Sequence, residues 1–105
     1  MEKIKVIVKR PDEPVGHIEE IDNTLEALQE TVGGYIETMT LDDTVLIMNE
    51  EGMIRGLPEN FNILSSTIYG TVIVAGVNGE EFGNVPFDLG QWDFVLAVWR
   101  NAREL

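Results

Sequence analysis

Few residues in this chain have the chemistry of a reactive site. His17 is its single histidine and there is no cysteine, so a zinc centre of imidazole and thiolate ligands has no second member. Four adjacent carboxylate pairs stand at or near proposed turns: Glu19-Glu20, Asp42-Asp43, Glu50-Glu51 and Glu80-Glu81. Neighbours on a strand point to opposite faces, so such pairs chelate poorly and make poor acid–base couples. The run "DDTVLIMNEEG" lacks the oxygen-ligand spacing of a calcium loop. Gly33-Gly34 follows a helical pattern instead of opening one, the reverse of a phosphate-cradling turn. No nucleophile stands in a pattern with a base. These residues predict a protein that is not an enzyme and needs no metal or cofactor.

Binding is the remaining chemistry, and one stretch concentrates it. "NEEGMIRGLPEN", Asn49 to Asn60, sets Asn49, Glu50, Glu51, Arg55 and Asn60 around little apolar material. Arg55 is the one cation of the central acidic region, which makes it the preferred contact for an anionic ligand. Asn49 and Asn60 bracket the segment, where side-chain amides either tie a loop to a sheet or line a pocket. Gln29, Tyr35 and Glu37 are further hydrogen-bonding residues without an evident structural duty. The candidate ligand contacts are therefore Arg55, Asn49, Asn60, Tyr35, Gln29 and Glu37.

The elements that must position these residues follow from patterning. "KIKVIVK" alternates as a strand, "RPDEPVG" is a loop fixed by its prolines, and "HIEEI" is a short strand. "NTLEALQETVGG" predicts a helix with Asn23 as N-cap, Glu26 completing a capping box and Gly33 as the left-handed stop. "YIETMTL" is a strand. "TVLIMN" and "MIRGL" flank "EEG" as a hairpin, and "TIYGTVIVAG" is the central strand with a bulge or close approach at Gly70. Asn78-Gly79 suggests a type I′ turn into "EEFGNVPF". "LGQWDFVLAVWRNAREL" predicts a helix capped by Asp88, with Trp92, Val95, Leu96 and Trp99 on one stripe. Trp92 and Trp99 are core by default, and a partner-facing stripe is the alternative, so both are candidate interface residues. The pattern predicts an α+β fold: a mostly antiparallel sheet of five or six strands packed with two helices, one domain over residues 1–105.

Bulk composition narrows the setting. The chain has 105 residues, 44% of them hydrophobic, enough for a core of its own. Nineteen acidic against seven basic residues give a formal charge of −12, a field that repels nucleic acid and anionic membrane and favours basic partners. Apolar runs are strand-sized, and "MEKIKVIVKR" lacks the features of a signal peptide. A cytoplasmic protein is expected.

The runs "IDNTLEALQETVGGYIE", "NEEGMIRGLPEN" and "IYGTVIVAG", in that order and spacing from about Ile21 to Gly76, resemble the DUF3846 family of small proteins from phages, plasmids and conjugative elements. The resemblance implies a mobile-element origin, and hence a host cytoplasm, and supplies no catalytic residues. It suggests a counter-defence protein that binds and sequesters a nucleotide-derived signal, acting as a homo-oligomer. The alternative is an acidic interaction protein or DNA mimic that occupies a host defence protein or other nucleic-acid-binding protein.

Overall fold

The computed structural model describes residues 2–63 and 66–103. Its elements run β1 (Lys3–Lys9), β2 (His17–Asp22), α1 (Leu25–Val32), β3 (Ile36–Leu41), β4 (Thr44–Asn49), β5 (Glu59–Ile63), β6 (Ser66–Tyr69), β7 (Val72–Asn78), β8 (Glu81–Gly83) and α2 (Leu89–Arg103). The main sheet has the order β2-β1-β7-β4-β3, with β8 also paired to β7. Every pairing is antiparallel. The fold is α+β, as the patterns predict.

Strands β4 and β7 are apolar on both faces because both faces of the sheet are covered. Val45, Ile47, Ile73 and Ala75 join Leu28 and Val32 of α1 in one core cluster. Leu46, Met48, Val72 and Val74 join Trp92 and Leu96 of α2 in the other. The second face is wider than one helix can cover. The remaining area is filled by a separate two-stranded sheet, β5–β6, whose Phe61, Ile63 and Ile68 enter the same cluster as α2. Phe61 meets Trp92 edge-on and stacks on Trp99, each at 5.9 Å between ring centroids. That contact holds β5 beside the C-terminal half of α2.

Several local expectations change. "TIYGTVIVAG" is two strands, not one: Gly70 has φ +81°, and there the chain leaves β6 and re-enters the main sheet as β7. A Cβ at Gly70 would lie 2.8 Å from the mobile Leu57 Cδ1, so it is the positive φ that demands glycine. "MIRGL" forms no strand. After Asn49 the chain makes successive turns, closed by hydrogen bonds from Arg55 N–H to Glu51 O at 2.9 Å and from Leu57 N–H to Gly52 O at 3.0 Å. The N-cap of α1 is Thr24, which accepts from Ala27 N–H at 3.2 Å. Asn23 instead donates to Phe82 O at 3.1 Å, so the capping box with Glu26 does not form. In the β7–β8 hairpin Asn78 pairs with Glu81, leaving Gly79-Glu80 as the loop. Only Gly79 has positive φ, which excludes the type I′ turn. Asp88 does cap α2, accepting from Gln91 N–H at 2.8 Å while Gln91 Oε1 accepts from Asp88 N–H at 2.9 Å.

Of the two tryptophans, Trp92 takes the core alternative. Trp92 is 0% exposed, its indole N–H donates to Val15 O at 2.9 Å, and it stacks on Phe87 at 6.0 Å. Nothing of it is left for a second subunit. Trp99 is partly buried against the same cluster. Replacing Trp92 with alanine removes the largest fully buried side chain and is expected to cost about 3–5 kcal/mol. Urea unfolding measures it; a loss under 1 kcal/mol would contradict this packing.

Candidate functional site

The residues expected to bind a ligand fall into two groups. The first surrounds the exit of α1. Asn49, at the end of β4, is 5% exposed; its Nδ2 donates to Val32 O at 3.2 Å and its Oδ1 accepts from Glu51 N–H at 2.8 Å. Glu50 N–H donates to Tyr35 O at 2.8 Å, and Arg55 Nη1 donates to Gly33 O at 3.3 Å. A Cβ on Gly34 would lie 2.9 Å from Asn49 Nδ2 and 3.2 Å from Arg55 Nη1, so this glycine lets the two loops close. Asn49 and Arg55 thus each place a donor on a backbone carbonyl left free at a helix C-terminus. Gln29 contributes its carbonyl to the same exit, accepting from Gly33 and Gly34 N–H. Tyr35 is two-thirds exposed, and Glu37 is exposed on edge strand β3. This end of the molecule is a laced loop junction.

Asn60 lies apart from these and organises the second group. The pairing of β5 with β6 skips from Glu59–Tyr69 to Phe61–Ile68, which makes Asn60 the extra residue of a β-bulge. A bulge frees a residue from the ladder and re-aims its side chain. Asn60 Nδ2 donates to Lys9 O and to Gly70 O, both at 2.8 Å, and its Oδ1 accepts from Lys9 Nζ. Lys9 is 3% exposed and its ammonium sits 5.7 Å from the Phe61 ring centroid. Burial pushes its pKa below the usual lysine value, and the neighbouring Arg100 guanidinium lowers it further, against the opposing pull of Glu13 and Asp12. Arg100 itself donates to Pro14 O at 3.3 Å. Among the described residues the ion pairs within 4.0 Å join Lys3 to Asp22, Arg10 to Glu13, and His17 to Glu13 and Glu19. Lys9 and Arg100 belong to none of them.

Above this pair is a hollow of about 260 Å³ lined by Glu59, Asn60, Phe61, Asn62 and Arg100. Asn62 Oδ1 accepts from Thr67 Oγ1, which fixes the amide so that Nδ2 is the donor left over. On the other side of Glu59 is a second hollow of about 420 Å³, lined by Arg10, Pro11, Asp12, Pro58, Glu59 and Thr71. Sequence patterning named Asn60 but missed Lys9, Asn62, Glu59 and Arg100. Lys9 shares a strand face with Lys3, Lys5 and Ile7, so its burial was not written in the alternation, and a cation in the last turn of a helix, such as Arg100, is explained by the helix dipole alone. No group of three or more His, Asp or Glu able to hold a metal occurs among the described residues.

The model for DUF3846, a domain of unknown function, matches residues 4–94. The chain belongs to the DUF3846 family. The match takes in β1, β2 and the first turns of α2 as well as the middle of the chain, a wider span than the quoted motifs cover. No curated protein and no solved structure matches. The matched span of this DUF3846 domain includes Lys9, Arg55 and Asn60, whereas Arg100 lies beyond it.

A third cluster fixes the loop that borders the second hollow. His17 of this DUF3846 domain is held between Glu13 and Glu19, each carboxylate 2.9 Å from a ring nitrogen. Arg10 N–H also donates to Glu13 Oε1 at 2.9 Å. The carboxylates raise the His17 pKa, Glu13 first and then Glu19, against some desolvation. Desolvation acts to raise Glu13, but the bonds from Arg10 and His17 and their charges prevail, and its pKa falls. The arrangement suits structural anchoring of the 10–17 loop, since it satisfies both ring nitrogens within the chain.

Asn49→Ala strands Val32 O and Glu51 N–H in a buried position and is expected to cost about 1–3 kcal/mol, whereas Arg55→Ala, at an exposed side chain, stays within about 0.5 kcal/mol. Chemical unfolding of both variants checks the ranking. The histidine cluster has a pH signature. Its His17 contribution is fully present below the unfolded pKa of 6.5 and is lost as pH rises through the raised folded value. The Glu13 contribution is present above 4.5 and is lost as pH falls through its lowered folded value. Solvent screening limits such a half-exposed pair to under about 1 kcal/mol. Melting temperature should therefore decline slightly as pH is raised above 6.5, and His17→Gln should flatten that decline.

Proposed function

We propose that this DUF3846 domain is a non-catalytic binding protein of a phage or other mobile element, which takes up and holds a small nucleotide-derived anion that signals host defence. The observation that carries the reading is the pair Lys9 and Arg100. In a chain of charge −12, carboxylates are abundant, yet two adjacent cations stand outside every ion pair seen among the described residues, and one of them is buried. Burying an ammonium against a single amide oxygen is costly, and an anion arriving at the hollow would relieve that cost. The overall negative field repels such a ligand at long range. Salt screens that field beyond about 8–10 Å, so the local cations govern the final approach.

The preferred cation moves accordingly from Arg55, which ties a loop, to Arg100, which lines a hollow with two amides and an aromatic ring. The other reading, an acidic partner of a host protein, draws support from a different place. Glu19, Glu20 and Asp22 of edge strand β2 and Glu30 of α1 line a hollow of about 400 Å³ with Lys3 and Arg10. The two basic residues interrupt the acidic surface that a continuous mimic of a phosphate backbone requires.

Mass spectrometry of small molecules released from protein purified out of defence-activated cells tests the proposal. An anionic metabolite is expected from the unaltered protein and from Arg55→Ala, and its loss from Arg100→Ala. Empty protein in every preparation would remove the holding function.

A further inference from the structure

Resting on that reading of the site, we propose that the ligand is a single nucleoside bearing a terminal phosphate, laid across Glu59 with its phosphate toward Arg100 and its ring toward Pro11 and Pro58. Three observations assign the ends. The hollow that contains Arg100, Asn60 and Asn62 offers the donors: the guanidinium and the Asn62 amide N–H₂ fixed by Thr67, with the buried Lys9 ammonium bonded to Asn60. A phosphate can accept two parallel bonds from the planar guanidinium, and the buried Lys9 charge favours an anion through its field without touching it.

The hollow on the far side of Glu59 has a different chemistry. Pro11 and Pro58 give it rigid apolar lining, completed by Thr71, just before β7, and by Arg10 and Asp12. A flat heterocycle fits such a lining, and the guanidinium of Arg10 can lie against a ring face while Asp12 accepts from ring N–H groups. Neither half suits the whole ligand alone. A volume of about 260 Å³ is below the usual range of small-molecule sites, and the neighbouring 420 Å³ completes it.

Glu59 lines both hollows, and it decides what joins them. A carboxylate beside a phosphate site repels that phosphate, so its presence needs a donor on the ligand. The vicinal hydroxyls of a ribose are such donors, and they stand between ring and phosphate in a nucleotide. A ribonucleotide satisfies Glu59 with both hydroxyls, whereas a deoxyribonucleotide leaves one acceptor site unfilled.

Isothermal titration with adenosine 5′-monophosphate, its 2′-deoxy form, adenosine and ribose 5-phosphate tests the assignment. The monophosphate should bind the unaltered protein at least tenfold more tightly than any of the other three. Arg100→Ala should reduce the monophosphate to the level of adenosine, and Arg100→Lys should restore part of the difference. Thr71→Trp, which fills the ring hollow, should reduce the monophosphate to the level of ribose 5-phosphate. Glu59→Gln should narrow the gap between ribo and deoxyribo forms. Circular dichroism confirms that each variant is folded. Absence of monophosphate binding, or binding that Arg100→Ala and Thr71→Trp leave unchanged, overturns the assignment. A different anion recovered from cells would then still uphold the holding function, so the two failures are separable.

Discussion

The constraint on which the rest depends is a sheet buried on both faces with only one helix available to each. α1 suffices for its face, where a short row of Leu28 and Val32 meets Ile47, Ile73 and Ala75. α2 does not suffice for the other, because Leu46, Met48, Val72 and Val74 spread beyond the width of a helix. An uncovered apolar face is unfavourable in water. The chain closes it by folding β5 and β6 back as a separate small sheet beside α2. From that follow the turns of residues 50–58, the reversal at Gly70, and the bulge at Asn60. The site exists because this filler meets the helix along a seam.

Polar groups at the seam are arranged to be satisfied by one another, and Asn60 does most of it. Its amide serves the carbonyls of Lys9 and Gly70 and its oxygen receives the Lys9 ammonium. Apolar residues could pack there as well, so the buried charge of Lys9 is not required by packing alone. The same loop that anchors the end of α2, through Pro14 O to Arg100 and Val15 O to Trp92, is itself tied down by Glu13 and His17. The lining of the second hollow and the anchoring of α2 thus share the 10–17 segment.

Much of the architecture was legible in the sequence. β1, β3 and β4 declared themselves by apolar runs and alternation, and α2 by its Asp88 cap and tryptophan spacing. What patterning could not show was the division of "TIYGTVIVAG" between two sheets. Apolar β-branched residues look alike in both, and a positive φ at Gly70 leaves no trace beyond the glycine itself. Asn23 and Thr24 are both good caps, and the choice between them was made by Phe82, fifty-nine residues away. For the site, the loop-tying alternative for Asn49 matches its buried contacts. Arg55 stood out because of its neighbours in sequence, while Lys9 and Arg100 are ninety-one positions apart and meet only in three dimensions.

The placement of β1 carries a kinetic meaning. It sits between β2, its neighbour in sequence, and β7, whose partners Val72–Val74 pair with Ile7–Lys9 across more than sixty residues. The β1–β2 hairpin is synthesised before β7, so its second edge stays open until β7 emerges and docks. A ladder of such long range closes late, because the entropy of the intervening loop must be overcome first. The nascent chain therefore spends its synthesis with one apolar strand edge unpaired. The lysines at positions 3, 5 and 9 on that strand are suitably placed to discourage it from joining other chains in the interval.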